Sequence, residues 1–170
     1  MLSSEILHEL FYVFKIFLPA LIANGSPVLI RKGYPIDFKR KFFDGRRILG
    51  DGKTFEGFAL GLFFGTYTGF VEALVFYDEK FVLIGVISSL GALLGDIAGS
   101  FVKRRLGLKR GAKAPLLDQL DFVYGAALVL SIFGFEFNIL SFIIFQIIVI
   151  ILHVITNRIA YVLKLKPVPW

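Results

Sequence analysis

Three aspartates, Asp96, Asp118 and Asp121, flank a basic stretch of an otherwise apolar chain, in the run GDIAGSFVKRRLGLKRGAKAPLLDQLD. Carboxylates are hard oxygen ligands suited to Mg2+, which takes one or two of them together with substrate phosphates. Ser100 and Lys103 follow Asp96 by four and seven residues, so on a helix the three share one stripe. Asp118 and Asp121, three apart, share a face of another. A carboxylate, a hydroxyl and an ammonium on one stripe suit a polyphosphate held through a metal ion. The plainer reading is that Asp96 and Asp118 each pair with Lys103 or Arg104. Three carboxylates at one depth, beside so many cations, favour the site.

A second stretch, Gly50–Gly57, reads GDGKTFEG. Small residues let a backbone approach a phosphate, and the N–H groups of a helix start favour anions. Lys53 and Thr54 add a point charge and a hydroxyl. The stretch is not a Walker A loop, because position 47 is arginine where that motif needs glycine. A simple turn with Thr54 as helix cap would explain much of it. Glu56, so early in an apolar segment, is more than a cap requires.

These residues must be positioned by apolar elements. The chain has 170 residues, 56% of them hydrophobic, and a mean hydropathy of +0.77. A soluble domain of this size needs far more polar surface. Five runs, at about 6–28, 55–77, 81–102, 116–135 and 139–163, are each near the roughly 20 residues that cross a bilayer. The expected fold is an all-α integral membrane protein, five transmembrane helices in one bundle, forming a single domain over residues 1–170. ANGSPV, with Gly25 and Pro27, predicts a break at the end of the first helix. No cleavable signal peptide is expected, since the first apolar run is long and lacks a basic lead. Cysteine is absent, which excludes disulfides and thiolate metal sites.

Charge sets the orientation. Loops at about 31–54 and 103–115 carry eight and six Lys or Arg, and the tail adds Lys164 and Lys166, whereas 78–80 and 134–138 carry almost none. Positive loops stay in the cytoplasm. The N-terminus is therefore expected outside and the C-terminus inside, in a cell membrane with the chemistry at its cytoplasmic face. Asn24, Glu56, Asp96, Asp118, Asp121, Asn157 and Arg158 then lie at the same ends of their helices. Polar groups at one depth do not string a path through the membrane. Lys15, Glu72 and Gln146 form no evident chain, which weighs against a small ion or solute transporter.

The two motifs in this order resemble the CDP-diacylglycerol synthase (phosphatidate cytidylyltransferase) family. The positions that carry the likeness are Gly52, Lys53, Thr54, Phe55, Glu56 and Gly57, then Gly95, Asp96, Ser100, Lys103, Arg104, Gly107, Lys109, Pro115, Leu117, Asp118 and Asp121. Departures are Lys109-Arg110 for the family's Lys-Asp, Asp118-Gln119 for its Asp-Arg, and a missing Gly-His-Gly-Gly segment. With ANGSPV and DGRRILGDGKT, they are similar to the archaeal branch, the CDP-archaeol synthases, over almost the whole chain.

The resemblance implies that CTP and an isoprenoid glycerol phosphate lipid, 2,3-di-O-geranylgeranylglycerol 1-phosphate, give a CDP-lipid and pyrophosphate. It implies no nucleic-acid partner, and a homodimer is left open. The expected mechanism is in-line attack of an ionised lipid phosphate on the α-phosphorus of CTP, with two repelling anions to be neutralised and aligned. Asp96 and Asp118 are expected to hold one or two Mg2+, with Asp121 a third ligand or supporting partner. Lys103 and Arg104 are candidates for phosphate. Lys53 and Thr54 are expected at CTP, together with Glu56, Gly57 and Ser100; Arg46, Arg47, Asp44 and Asn24 follow, while Arg31, Lys32 and Lys39 read as topology signals. A CDP-alcohol phosphotransferase is the enzymatic rival, but its Asp-x-x-x-Asp ending is not met, since two residues separate Asp118 and Asp121.

Overall fold

The computed structural model describes residues 4–109 and 111–169, so Arg110 lies outside the described residues. Five helices account for most of the chain: α1 (Ser4–Gly25), α2 (Phe55–Phe76), α3 (Lys80–Arg105), α4 (Leu117–Ile132) and α5 (Ile139–Val162). Their ends follow local chemistry. A 3-10 turn, Ser26–Leu29, takes over from α1 where Pro27 has no N–H to continue the α pattern. Thr54 caps α2 by accepting from the Gly57 N–H, and Asn138 caps α5 through the Leu140 and Ser141 N–H groups. Gly134, at φ +80°, turns the chain out of α4.

That stop shortens α4 relative to the expected 116–135. Its 16 residues span about 24 Å, against roughly 30 Å of bilayer hydrocarbon. The other four helices are long and apolar enough to cross a membrane. Large apolar side chains point outward along them, including Phe63, Tyr67, Phe70 and Leu74 on α2 and Ile143, Ile147 and Ile151 on α5. In water such faces would need covering; in a bilayer lipid covers them. The chain is a multi-pass membrane protein.

The core lies around α1 and α3. Val13, Ile16, Phe17 and Ala20 of α1 have no exposed surface, and the Phe17 ring meets Phe137, Phe142 and Phe145 at 5.2–5.4 Å. Ser88 of α3 donates to the Ile16 carbonyl at 2.9 Å, a small polar contact that lets the two backbones close up. Small residues also bring α3 against α4, where a Cβ on Gly95 would lie 3.0 Å from Gly125 Cα.

Contacts place five helix ends at one end of the bundle. The segment joining α1 to α2 is bridged at Pro35 and Thr54, Arg105 at the end of α3 reaches Asp44 in that segment, and Lys103 reaches Asp118 at the start of α4. Past the end of α5, Lys166 turns back to Asn157. All three basic stretches therefore gather at a single end.

Candidate active site

The segment 30–54 is an ordered frame built on one carboxylate that the sequence reading passed over. Asp37 is 5% exposed and accepts from Arg47 Nη2 at 2.7 Å, Arg47 Nε at 3.2 Å, and the N–H groups of Lys39, Leu49 and Gly50 at 2.9–3.0 Å. Burial alone would raise its pKa. The Arg47 guanidinium and the three N–H groups outweigh burial and hold the carboxyl well below the usual carboxylate range. Arg47 also binds Asp51 at 2.8 Å, and Ile36 N–H meets the Lys53 carbonyl at 2.8 Å. The frame is docked on α3 by Arg105, which donates to Asp44 Oδ1 at 2.7 Å and to the Arg47 carbonyl at 2.6 Å.

The frame delivers Lys53 to α3, where its ammonium pairs with Asp96 Oδ2. The two sequence motifs are thus joined by a direct ion pair. A cavity of about 280 Å³ opens beside it, with Lys53, Thr54, Gly57 and Asp96 in its wall and Arg31 and Lys32 at the same cavity. Thr54 is at once a wall residue and the cap of α2.

The other carboxylates follow where α3 meets α4. Lys103 Nζ lies 2.6 Å from Asp118 Oδ1, and Asp118 Oδ2 accepts from the Ala114 N–H at 2.8 Å. Asp121 lies one turn further in. Its Oδ1 accepts from its neighbour Phe122 N–H at 2.7 Å, while its Oδ2 is buried with no hydrogen-bond partner. The charges of Asp96, Lys103 and Lys53 all act on Asp121, which places the four groups in one field. Ser100, expected on the Asp96 stripe, is 5% exposed and packed between helices.

The remaining candidates are placed as follows. Glu56 Oε2 accepts the Tyr34 N–H at 2.7 Å and so ties the start of α2 to the frame. Arg46 donates to the Arg105 carbonyl at 2.5 Å and, like Arg47, lies outside the cavity wall. Arg104 is half-buried, with its Nε lacking a partner. Asn24 is half-buried in the last turn of α1 and is not in the cavity wall. Two groups the sequence reading did not place here are His153 and Lys166, which feel Asp96, Asp118 and Lys103.

Among the described residues no three His, Cys, Asp or Glu side chains converge on one point. Lysines face Asp96 and Asp118 instead. The donor set still fits Mg2+, which needs only one or two carboxylates when phosphates complete its shell. Asp121 Oδ2, buried and unpartnered, is the oxygen that such an ion would satisfy.

Lys15 and Glu72 sit elsewhere. The Lys15 ammonium lies 4.8–5.9 Å from the rings of Phe11, Tyr12, Phe76 and Phe81. Phe81 is 15 residues before Asp96 on the same helix, about 22 Å away. Gln146 accepts from Tyr124 at 3.0 Å.

The family model CarS-like: CDP-archaeol synthase matches residues 5–170. The chain is 54% identical over 154 residues to a CDP-archaeol synthase of Sulfolobus acidocaldarius, covering 91% of this chain and 94% of that one. It is 48% identical over 165 residues to the CDP-archaeol synthase of Sulfurisphaera tokodaii, covering 97% and 99%. A solved structure described as an intramembrane enzyme for archaeal membrane lipids biosynthesis superimposes with a TM-score of 0.82 at 43% identity, covering 85% of this chain and 91% of that one.

Proposed function

The chain belongs to the CDP-archaeol synthase family, and from that premise we propose that it transfers the cytidylyl group of CTP to the phosphate of an isoprenoid glycerol phosphate lipid, 2,3-di-O-geranylgeranylglycerol 1-phosphate. The observation that carries this is the meeting of Lys53 with Asp96 at the cavity, beside the Lys103–Asp118 pair and the unpartnered Asp121 oxygen.

Joining two phosphates requires suppressing their repulsion and aligning them. Lys53 and Thr54, in the cavity wall, hold the CTP phosphates, and Arg31 and Lys32 add positive field there. Asp96, Asp118 and Asp121 would hold Mg2+, which when bound draws phosphate charge and polarises the P–O bonds. Lys53 and Lys103 neutralise Asp96 and Asp118 in this structure, and with those carboxylates on Mg2+ both ammonium groups would be available to phosphate. Arg104, whose Nε lacks a partner, is a further donor of that sign.

An oxygen of the lipid phosphate attacks the α-phosphorus. That P–O bond forms as the bond to the β-phosphate oxygen breaks, and pyrophosphate departs. The attacking phosphate is already ionised near neutral pH, so no general base is required.

Positive-inside bias supports placing the basic end of the bundle in the cytoplasm, with the N-terminus outside. The residues Phe133, Phe135 and Phe137, the last two packed on the core, complete the short fourth crossing. CTP and the soluble product are then on the side where they are made and used.

The test follows the label. With CTP labelled at the α-phosphorus, radioactivity should move into the organic phase only when the ether-lipid phosphate is present. Label from the γ-phosphorus appearing in lipid would contradict cytidylyl transfer.

A further inference from the structure

The stretch 38–43 reads FKRKFF, a basic run bracketed by aromatic residues, and every one of its side chains is exposed. Its shape is set by Asp37. The Asp37 carboxylate accepts the Lys39 N–H at 3.0 Å, and the Asp37 carbonyl accepts the Arg40 N–H at 2.8 Å. Phe38 and Lys39 are held at φ +50° and +62°, the left-handed region that residues other than glycine enter at a cost. From Lys41 the chain turns through a short hairpin bridged at Arg47, whose guanidinium holds Asp37. The surface stretch and the frame that presents Lys53 are therefore one piece.

The aromatic ends of the stretch meet two different helices. The Phe38 ring lies 5.5 Å from Phe55, with Tyr34 on its other side at 5.8 Å. Phe55 begins the outward stripe of α2, which continues at helical spacing through Ala59, Phe63, Tyr67, Phe70 and Leu74. At the other end, Phe42 lies 5.4 Å from Phe101 of α3 and 5.0 Å from Phe43, which is 99% exposed. Phe101 adjoins Val102, the last of the outward residues Val86, Leu94 and Val102 of α3. Both stripes face lipid, so the aromatic ends stand where hydrocarbon gives way to headgroups, a depth that suits aromatic rings.

Between those ends, the side chains of Lys39, Arg40 and Lys41 make no ion pair among the described residues. The neighbouring carboxylates are already engaged, Asp37 and Asp51 by Arg47 and Asp44 by Arg105. Basic residues beside the end of a membrane helix attract the anionic headgroups of the adjoining leaflet. A soluble anion would need the cations alone, whereas continuity with two lipid-facing stripes requires a bilayer. We propose that residues 38–43 are a docking surface for anionic lipid headgroups, and that it seats the frame on the bilayer independently of the reaction beside it.

The experiment uses the full chain in nanodiscs of phosphatidylcholine mixed with phosphatidylglycerol, with bromine on the acyl chains of one lipid or the other. A Trp170→Phe background leaves one fluorescent reporter at a time, Phe38→Trp or Phe43→Trp. Phe43, fully exposed, can be replaced without disturbing the fold. Both reporters should be quenched more by bromine near the headgroup than by bromine at the chain end. An anionic surface favours each nearby cation by about fivefold, so the enrichment of phosphatidylglycerol over phosphatidylcholine around the reporters should be about fivefold or more. The enrichment should disappear when Lys39→Gln, Arg40→Gln and Lys41→Gln are combined. It should also fall in about 1 M salt, where screening shortens the reach of a charge to about 3 Å. Quenching with no preference for the anionic lipid, or a preference that survives in the triple variant, would overturn the proposal. So would reporters quenched by aqueous acrylamide and not by brominated lipid. No turnover is read, so this outcome and that of the cytidylyl-transfer test are distinguishable.

Discussion

Gly99 of α3 leaves the space that the Asp121 carboxylate of α4 fills: a Cβ on Gly99 would lie 2.8 Å from Asp121 Cγ. The glycine is therefore part of the carboxylate's position. Gly99→Ala should displace Asp121 and overpack the α3–α4 contact, at a cost of about 1–3 kcal/mol. The expected readouts are a lowered unfolding midpoint in detergent and a fall in kcat larger than the change in KM for CTP. Wild-type kcat in Gly99→Ala would detach Asp121 from the reaction.

Asp96 and Asp118 each hold a lysine in this structure and are assigned to Mg2+ during turnover. Asp96→Asn and Asp118→Asn should each cut the rate of pyrophosphate release by more than about a hundredfold, the scale of losing an electrostatic group at a reacting centre. Their lysines are partly exposed and can take up water, so helix content by circular dichroism should remain. Near-normal turnover in either variant would remove that residue from the metal assignment.

Asp37 makes a separate prediction about the frame. Its folded-state pKa is depressed, so its contribution to stability is complete above the ordinary carboxylate value, near 3.8, and declines only as pH falls toward the lower folded value. Between pH 5 and 9, roughly, the frame should therefore hold without change from this group. Asp37→Asn removes the contribution throughout that window. Losing the partner of a buried pair costs about 3 kcal/mol, and the 26% exposure of the Arg47 side chain keeps it at that low end. Faster proteolysis of residues 30–54 and a raised KM for CTP are expected; cleavage at the wild-type rate would show that other contacts hold the segment.

Divalent metal removal supplies the fourth test. Chelation should stop pyrophosphate release, and added Mg2+ should restore it in proportion to occupancy, because phosphate repulsion is otherwise unrelieved. Turnover that persists in chelator would leave the lysines and arginines as the whole electrostatic apparatus.

Much of this arrangement was legible in residue order. Long apolar runs located all five helices within a few residues, and Gly25 with Pro27 announced the end of α1. The expected span of 116–135 overruns α4 because Phe133 and Phe135 continue its apolar run; the stop is Gly134, whose left-handed backbone no hydropathy window registers. The gathering of Asp96, Asp118 and Lys53 was readable through motif spacing, but the pairing of Lys53 with Asp96 depends on the frame's fold. That fold hangs on Asp37 and Arg47, ten residues apart in a loop without periodicity. Lys166 read only as a topology charge, since nothing in LKLKPVP marks Lys164 for a left-handed turn.

The most direct test of cytidylyl transfer is a single omission series. Purified chain is given CTP, Mg2+ and the ether-lipid phosphate, each left out in turn, and pyrophosphate is measured against CDP-lipid formed. The expected result is one pyrophosphate per CDP-lipid with all three present, and none when any one is missing. Pyrophosphate released without the lipid phosphate, or CDP-lipid formed without CTP, would contradict it.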